Sequence, residues 1–438
     1  MKWQPARWLI ALAIITAALA AQPAWFTVVT PRAFLPALAG YINARRATRP
    51  VEVLVLEEVL AHHEGVDAAE TLKRHLFRSW QRGTCHVLLV GDVDVLPVRY
   101  MLLDRQAAAA ANCAFYPSDL YYADIADAHG AFEDWNGAKE GQRAAWFGEV
   151  RGETFKDGAI NADDIDYTPE LALGRWPTSN VDEVACIAAK TLQHARETPA
   201  QRSALLLHGA DWIDIKARVD AWGAALAPRY AAQRLNHESG KPAADAAVAQ
   251  ALEAGVDLLV HVGHGSPSGY DRMLSTNTLA QCKPARLPVL ISAGCSTAAF
   301  AAMPPYSAYT DSSGFRHVGT NAGQVFALPP PAPACFQRGP DDDDSFAESA
   351  VVRMPRGAVA AIGCNTGAQP CGVTLVEAFV QASADNGALL GDCWRNAVSE
   401  YVLREHLREL KTDAGWYPPS IFFQGMKFML FGDPTLKL

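Results

Sequence analysis

DLLVHVGHGSPSGY (Asp257–Tyr270) and LPVLISAGCSTAAF (Leu287–Phe300) are the stretches on which the fold turns. Each holds a short apolar run, Leu258–Val262 and Pro288–Ala293, rich in Val, Leu and Ile. Runs of that length, apolar throughout and closed by glycine, suit strands of a parallel sheet covered on both faces. Each run ends on chemistry: His264-Gly265 follows the first and Cys295 the second. In open α/β sheets, reacting groups gather beyond the carboxyl ends of the strands. If the two strands are neighbours, an imidazole and a thiol far apart along the chain face one crevice.

Such a pair has a defined chemistry. A free thiol titrates near pH ~8.5, so little of it is thiolate at neutral pH. An adjacent imidazole takes the proton, releases a nucleophile, and returns the proton to a leaving amine. Gly265 has no side chain, so its N–H can approach a substrate carbonyl closely. The N–H of Cys295 is a second candidate donor, and removing one donor from an oxyanion hole typically costs ~3–4 kcal/mol of barrier. The competing reading of Cys295 is a buried structural thiol or half of a disulfide, because cysteine is among the most buried residue types. His264 alone is equally open to a structural reading. The joint pattern, strand then His-Gly followed by strand then Cys, is the more specific signal.

With these residues in hand, the sequence resembles the gingipain-type cysteine peptidases, relatives of the caspases. Further stretches match that family in order: CHVLLVGDVDVLP (Cys85–Pro97), YPSDLYYADI (Tyr116–Ile125), PELALGRWP (Pro169–Pro177), SFAESAVVRMPRGAVAAIG (Ser345–Gly363) and MLFGDPTLKL (Met429–Leu438). The resemblance implies a caspase-like three-layer α/β/α fold of two similar subdomains with mainly parallel sheets. It implies His264 as catalytic base and Cys295 as nucleophile. It matches Asp211 to the family's imidazole-orienting acid, a glutamate there, and Asp214 to an acid that binds a basic side chain at the cleavage position. Either acid is also suited to capping the helix that follows. The sequence departs from the family after the nucleophile, where Ser296-Thr297-Ala298-Ala299-Phe300 replaces a loop containing glycine. It also carries a long segment between Phe300 and Ser345 where better-known members are short.

The rest of the chain is read around this centre. Strands at Trp25–Thr30, Val51–Leu56 and His86–Gly91 alternate with amphipathic stretches at Phe34–Arg46 and Ala68–Arg82, the pattern of a parallel sheet with helices on both sides. A strand at Leu171–Gly174 and a helix at Val181–Arg196 complete a first subdomain, 22–200. Residues 201–438 form a catalytic subdomain, interrupted by an insertion at 301–344. The insertion contains PPPAP (Pro329–Pro333) and Asp341–Asp344, compositions that resist packing. It is read as a lid, a substrate-shaping element or a plain surface excursion.

At 438 residues with a net charge of −9, the chain lacks the basic face of a nucleic-acid binder. Lys2 and Arg7 precede an apolar run, Trp8–Ala20, that is short for a membrane span and ends in the small-x-small pattern of a cleavage site. Residues 1–21 are therefore expected to be a signal peptide, leaving no stable membrane span and an extracytoplasmic protein. Export permits disulfides among the nine cysteines. Because nine is odd, at least one stays unpaired within a monomer. Cys364 and Cys371 are the pair close enough in sequence to suggest a bridge. The acidic stretch Asp119–Asp166 lacks an EF-hand loop; it reads as a solvated surface, with a structural calcium as the alternative. No HExxH is present, which disfavours a zinc peptidase.

The expected function is an exported cysteine endopeptidase that acts on protein or peptide substrates through a thioester, needs no cofactor, and cuts after a basic residue. Two other readings stand beside it: a catalytically inactive binding protein of the same fold, and a serine hydrolase using Ser296 in the near-elbow Gly294–Ala298.

Overall fold

The computed structural model describes residues 25–102, 115–137, 146–147, 164–197, 199–209, 212–237, 241, 244–304, 307–319, 331–338, 344–411, 421–422 and 424–438. The expected signal peptide, Asp211, Cys113 and Asp341–Asp343 lie outside these residues. Ten strands form one continuous sheet. In chain order they are β1 (Trp25–Thr30), β2 (Val51–Val55), β3 (Thr84–Val90), β4 (Ala172–Trp176), β5 (Arg202–Gly209), β6 (Tyr230–His237), β7 (Leu258–Val262), β8 (Val289–Ser292), β9 (Ala360–Cys364) and β10 (Phe428–Phe431). Their order across the sheet is β2-β1-β3-β4-β10-β9-β8-β7-β5-β6.

The two similar halves read from the sequence thus share a sheet. Within each half the neighbouring strands are parallel. The last strand joins them: β10 runs antiparallel to β9 and parallel to β4. The first half is therefore turned over relative to the second, and their carboxyl ends point in opposite directions.

Successive side chains of a strand face opposite sides of the sheet, and both sides here are apolar. In β3, Val87 and Leu89 enter one core while Leu88 and Val90 enter the other. Helix α1 (Leu35–Arg46), α3 (Val181–His194) and α5 (Asp245–Gly255) cover one face. Helix α2 (Ala68–Gln81), α4 (Lys216–Leu226), α6 (Gly372–Ser383) and α7 (Leu390–Arg404) cover the other. Local signals start two of these helices. The Asp67 side chain accepts from the Glu70 N–H ahead of α2, and the Asn180 side chain accepts from Asp182 and Glu183 ahead of α3; side-chain oxygens there satisfy otherwise orphaned N–H groups.

Edge strand β6 was not apparent from the sequence. YAAQRLNH lacks an apolar run, and half of its residues are exposed. It is held by ladder bonds to β5 along all eight residues. The insertion is structured in its described parts. Tyr309–Thr310 and Arg316–His317 pair as a hairpin, and Asp311 bridges Pro333. The segment docks on the first half, where Val98 N–H donates to Cys335 O (2.8 Å) and Gln337 N–H to Val93 O (3.0 Å). Among the described residues, no helix is long and apolar enough to cross a membrane.

Candidate active site

Strands β7 and β8 are direct neighbours, in register from Val289 opposite Leu258 to Ser292 opposite His261. Their carboxyl ends therefore open side by side, and the loops beyond them touch. A Cβ added to Gly265 would stand 2.9 Å from the Cα of Gly294, and one added to Gly294 would stand 3.1 Å from the Cα of Gly265. The first distance is too short for a real Cβ, so this meeting of backbones requires glycine at 265, and the second leaves a side chain at 294 only a tight fit. His264 precedes the first glycine and Cys295 follows the second, so the two residues leave adjacent stretches of backbone. His264 is exposed and Cys295 half-buried.

The loop that carries Cys295 is held by backbone beyond the next strand. Ser296 N–H donates to Thr366 O (2.7 Å) and Ala298 N–H to Cys364 O (3.1 Å). The Cys295 thiol itself donates weakly to Ala368 O, at 3.6 Å. Ser296 adopts φ +53°, a left-handed conformation that glycine takes freely and serine does not. A serine holds this backbone shape at some cost. Its hydroxyl faces Thr366 O at 3.5 Å.

Beneath the two loops lies a buried polar pair. His261 Nδ1 is 2.8 Å from Ser292 Oγ, and Ser292 Oγ accepts the Gly294 N–H at 2.9 Å. The His261 ring stacks on Tyr270, with centroids 4.1 Å apart and planes 7° off parallel. Burial, reinforced by repulsion from His208 and His264, lowers the imidazole to about 3. In the sequence His261 is simply part of the apolar run Leu258–Val262, and it is fully buried. Its bond across to Ser292 was invisible there, because only strand register pairs the two.

Asp214 is exposed, and its carboxylate accepts the Lys216 N–H (3.2 Å) at the start of α4. The structure thus gives it a helix-entry role and brings no partner to it from the crevice among the described residues. Among the described residues no disulfide forms. All eight described cysteines are free, Cys364 and Cys371 included, so the bridge suggested by their spacing is not made. Cys364 ends β9 and Cys371 lies before α6. Both are buried in the apolar core, where burial pushes the thiols up, to about 12 and about 11.

The acidic stretch is not simply a solvated surface. Oxygens of Asp124, Glu133 and Asp166 lie within 4.8 Å of one another, the first two residues buried. Burial raises the Asp124 carboxyl well above its usual range and lifts Glu133 to about 7. The Lys73 ammonium, buried and lowered to about 8, neighbours them and donates to Glu133 O at 2.7 Å. Asp124 Oδ2 accepts from Trp135 Nε1 (2.9 Å), while its Oδ1 is buried without a partner among the described residues. Hard oxygen donors with one left unsatisfied fit a calcium ion.

Comparison with known proteins bears on the family and the fold. The model of "Peptidase family C25" matches residues 19–438. No curated protein matches the chain. Among solved structures, the Arg-specific cysteine proteinase gingipain R (RgpB) superposes with a TM-score of 0.60 at 14% identity, covering 95% of this chain and 78% of that one. The complex of Porphyromonas gingivalis RgpB pro- and mature domains gives 0.60 at 14%, covering 94% and 79%. A structure described as a protease gives 0.58 at 13%, covering 95% and 78%. At these identities the superpositions establish the fold.

Proposed function

The chain belongs to peptidase family C25 and is a cysteine-type peptidase acting on protein substrates; from that premise we propose that it is an exported endopeptidase working through a His264–Cys295 dyad. The observation that carries this reading is the contact of Gly265 with Gly294, which brings the imidazole loop and the thiol loop to one crevice. His264 removes the Cys295 proton, and the thiolate attacks the scissile carbonyl carbon. The oxyanion that develops is received by the N–H groups of Gly265 and Cys295. Collapse breaks the C–N bond as His264 gives its proton to the departing amine, leaving a thioester on Cys295. His264 then deprotonates a water, which attacks the thioester, and the sulfur leaves to recover the thiol.

Asp211 is assigned to orienting His264. The register that sets His208 on β5 beside Val262 on β7 supports it, since the chain leaves both strands at the same edge. Asp214 is assigned to a preference for a basic residue before the cut, a preference a carboxylate supplies by charge. Export rests on the N-terminal charge and apolar pattern. The chemistry needs no cofactor. A structural calcium, where it binds, is held by Asp124, Glu133 and Asp166 and supplies only cross-linking charge.

The test is hydrolysis of a peptide library by the wild type, Cys295→Ala and His264→Ala. Cys295→Ala is expected to abolish turnover and His264→Ala to reduce it by about 10²–10⁴-fold, the usual worth of a general base. Cleavage that persists in Cys295→Ala would remove the dyad. Equal rates for substrates with basic and neutral residues before the cut would remove the role given to Asp214.

A further inference from the structure

We propose that His261 and Ser292 are positioning residues for this active site, a neutral pair that fixes the spacing between the His264 loop and the Cys295 loop. The inference rests on the dyad reading above and deepens it.

Both residues sit inside a layer that is otherwise apolar. Strand register places them opposite each other on β7 and β8, at the last pair before the chain leaves the sheet. Buried polar groups in such a layer are retained where they find partners; these two are bonded at 2.8 Å, and His261 Nε2 is buried without a partner among the described residues. The serine does a second thing. Its Oγ accepts the Gly294 N–H, two residues on, and so shapes the turn that delivers Cys295.

The imidazole reaches the other loop. Its Nε2 lies 3.1 Å from where a Gly263 Cβ would stand, and its Cε1 lies 3.2 Å from where a Gly294 Cβ would stand. One flat face stacks on Tyr270. Tyr270 in turn pairs with Gly265 across the hairpin that follows His264. A single ring therefore stacks on the hairpin after His264 and fills the space that side chains at Gly263, before His264, and at Gly294, before Cys295, would occupy.

The ring must stay uncharged to do this. Its neighbours are a serine hydroxyl, a tyrosine face and glycine backbone, and the titrating groups that act on it are His208 and His264. No carboxylate faces it among the described residues, so an imidazolium would have no counter-charge. His261 is thus a spacer, whereas exposed His264 is the residue free to exchange protons. A displacement of about 1 Å between reacting groups costs on the order of 10²-fold in rate, which sets how much such a spacer can matter.

The experiment measures steady-state kinetics on a peptide substrate with the full chain, after Cys295→Ala has been shown to abolish turnover. If turnover survives Cys295→Ala, the dyad reading falls before the pair is tested. With the dyad established, Ser292→Ala is expected to lower kcat about tenfold or more while KM stays within about twofold. His261→Leu is expected to do the same. His261→Asn retains an amide at the position of Nδ1 and is expected to recover most of the lost kcat. Melting temperature and the fraction of Cys295 alkylated by iodoacetamide normalise each rate to folded, accessible enzyme. Ser292→Ala removes a single oxygen, so it decides the matter even if His261→Leu does not fold. Folded Ser292→Ala with wild-type kcat would overturn the proposal, as would an equal loss in His261→Asn and His261→Leu.

Discussion

At the scale of single residues, the loop after the thiol shows how local strain and chemistry separate. Ser296 stands at φ +53° with its N–H committed to Thr366 O. A left-handed backbone costs a non-glycine residue about 1–2 kcal/mol, and more for a β-branched one. Ser296→Val should therefore lower stability by at least about 1 kcal/mol in urea unfolding, whereas Ser296→Ala should leave both stability and turnover nearly unchanged. A large loss of turnover in Ser296→Ala would revive the serine as nucleophile. The sequence marks Ser296–Phe300 as a loop that departs from the family it resembles, but only the backbone angle shows that Ser296 is strained.

At the scale of elements, the acidic segment ties α2 to the chain around Asp124 and Asp166. Glu133 is raised to about 7 and Asp124 further, both by burial first. Between pH ~4.5 and ~7 the folded chain holds protons that the unfolded chain has lost, so stability falls as pH rises through that window. Thermal melting across it should show the fall, and Glu133→Gln should flatten it. An unchanged slope in Glu133→Gln would show that these carboxyls do not carry the effect. Calcium binds the ionised carboxylates, so at pH 7.5 millimolar calcium should raise the melting temperature of the wild type through preferential binding to the folded state. Asp124→Asn should not respond. From the sequence these acids looked like solvated surface, because nothing in their spacing reveals that the fold buries two of them beside a lysine.

At the scale of the whole molecule, the seam between the halves is the critical joint. Fully buried Asp433 follows β10, accepts Tyr41 Oη at 2.7 Å, and is paired with Arg45 of α1. Removing one partner of a buried ion pair typically costs 3–5 kcal/mol. Asp433→Ala should lose about that much in urea unfolding, and the continuous sheet predicts that wild-type unfolding is a single transition. Two well-separated transitions would show that the halves fold independently. All the sheet strands but β6, most helices and both loops of the candidate site were legible from sequence, because apolar run length and glycine punctuation are local signals. What the sequence by itself determined was the alternation of strands and helices and the identity of the residues ending β7 and β8. Tertiary structure alone decided that the two halves share a sheet with opposed directions, that Cys364 and Cys371 stay apart, and that Ser292 meets His261. Each depends on which strands lie side by side and in what register, and register is set by the packing of the whole core rather than by any one segment.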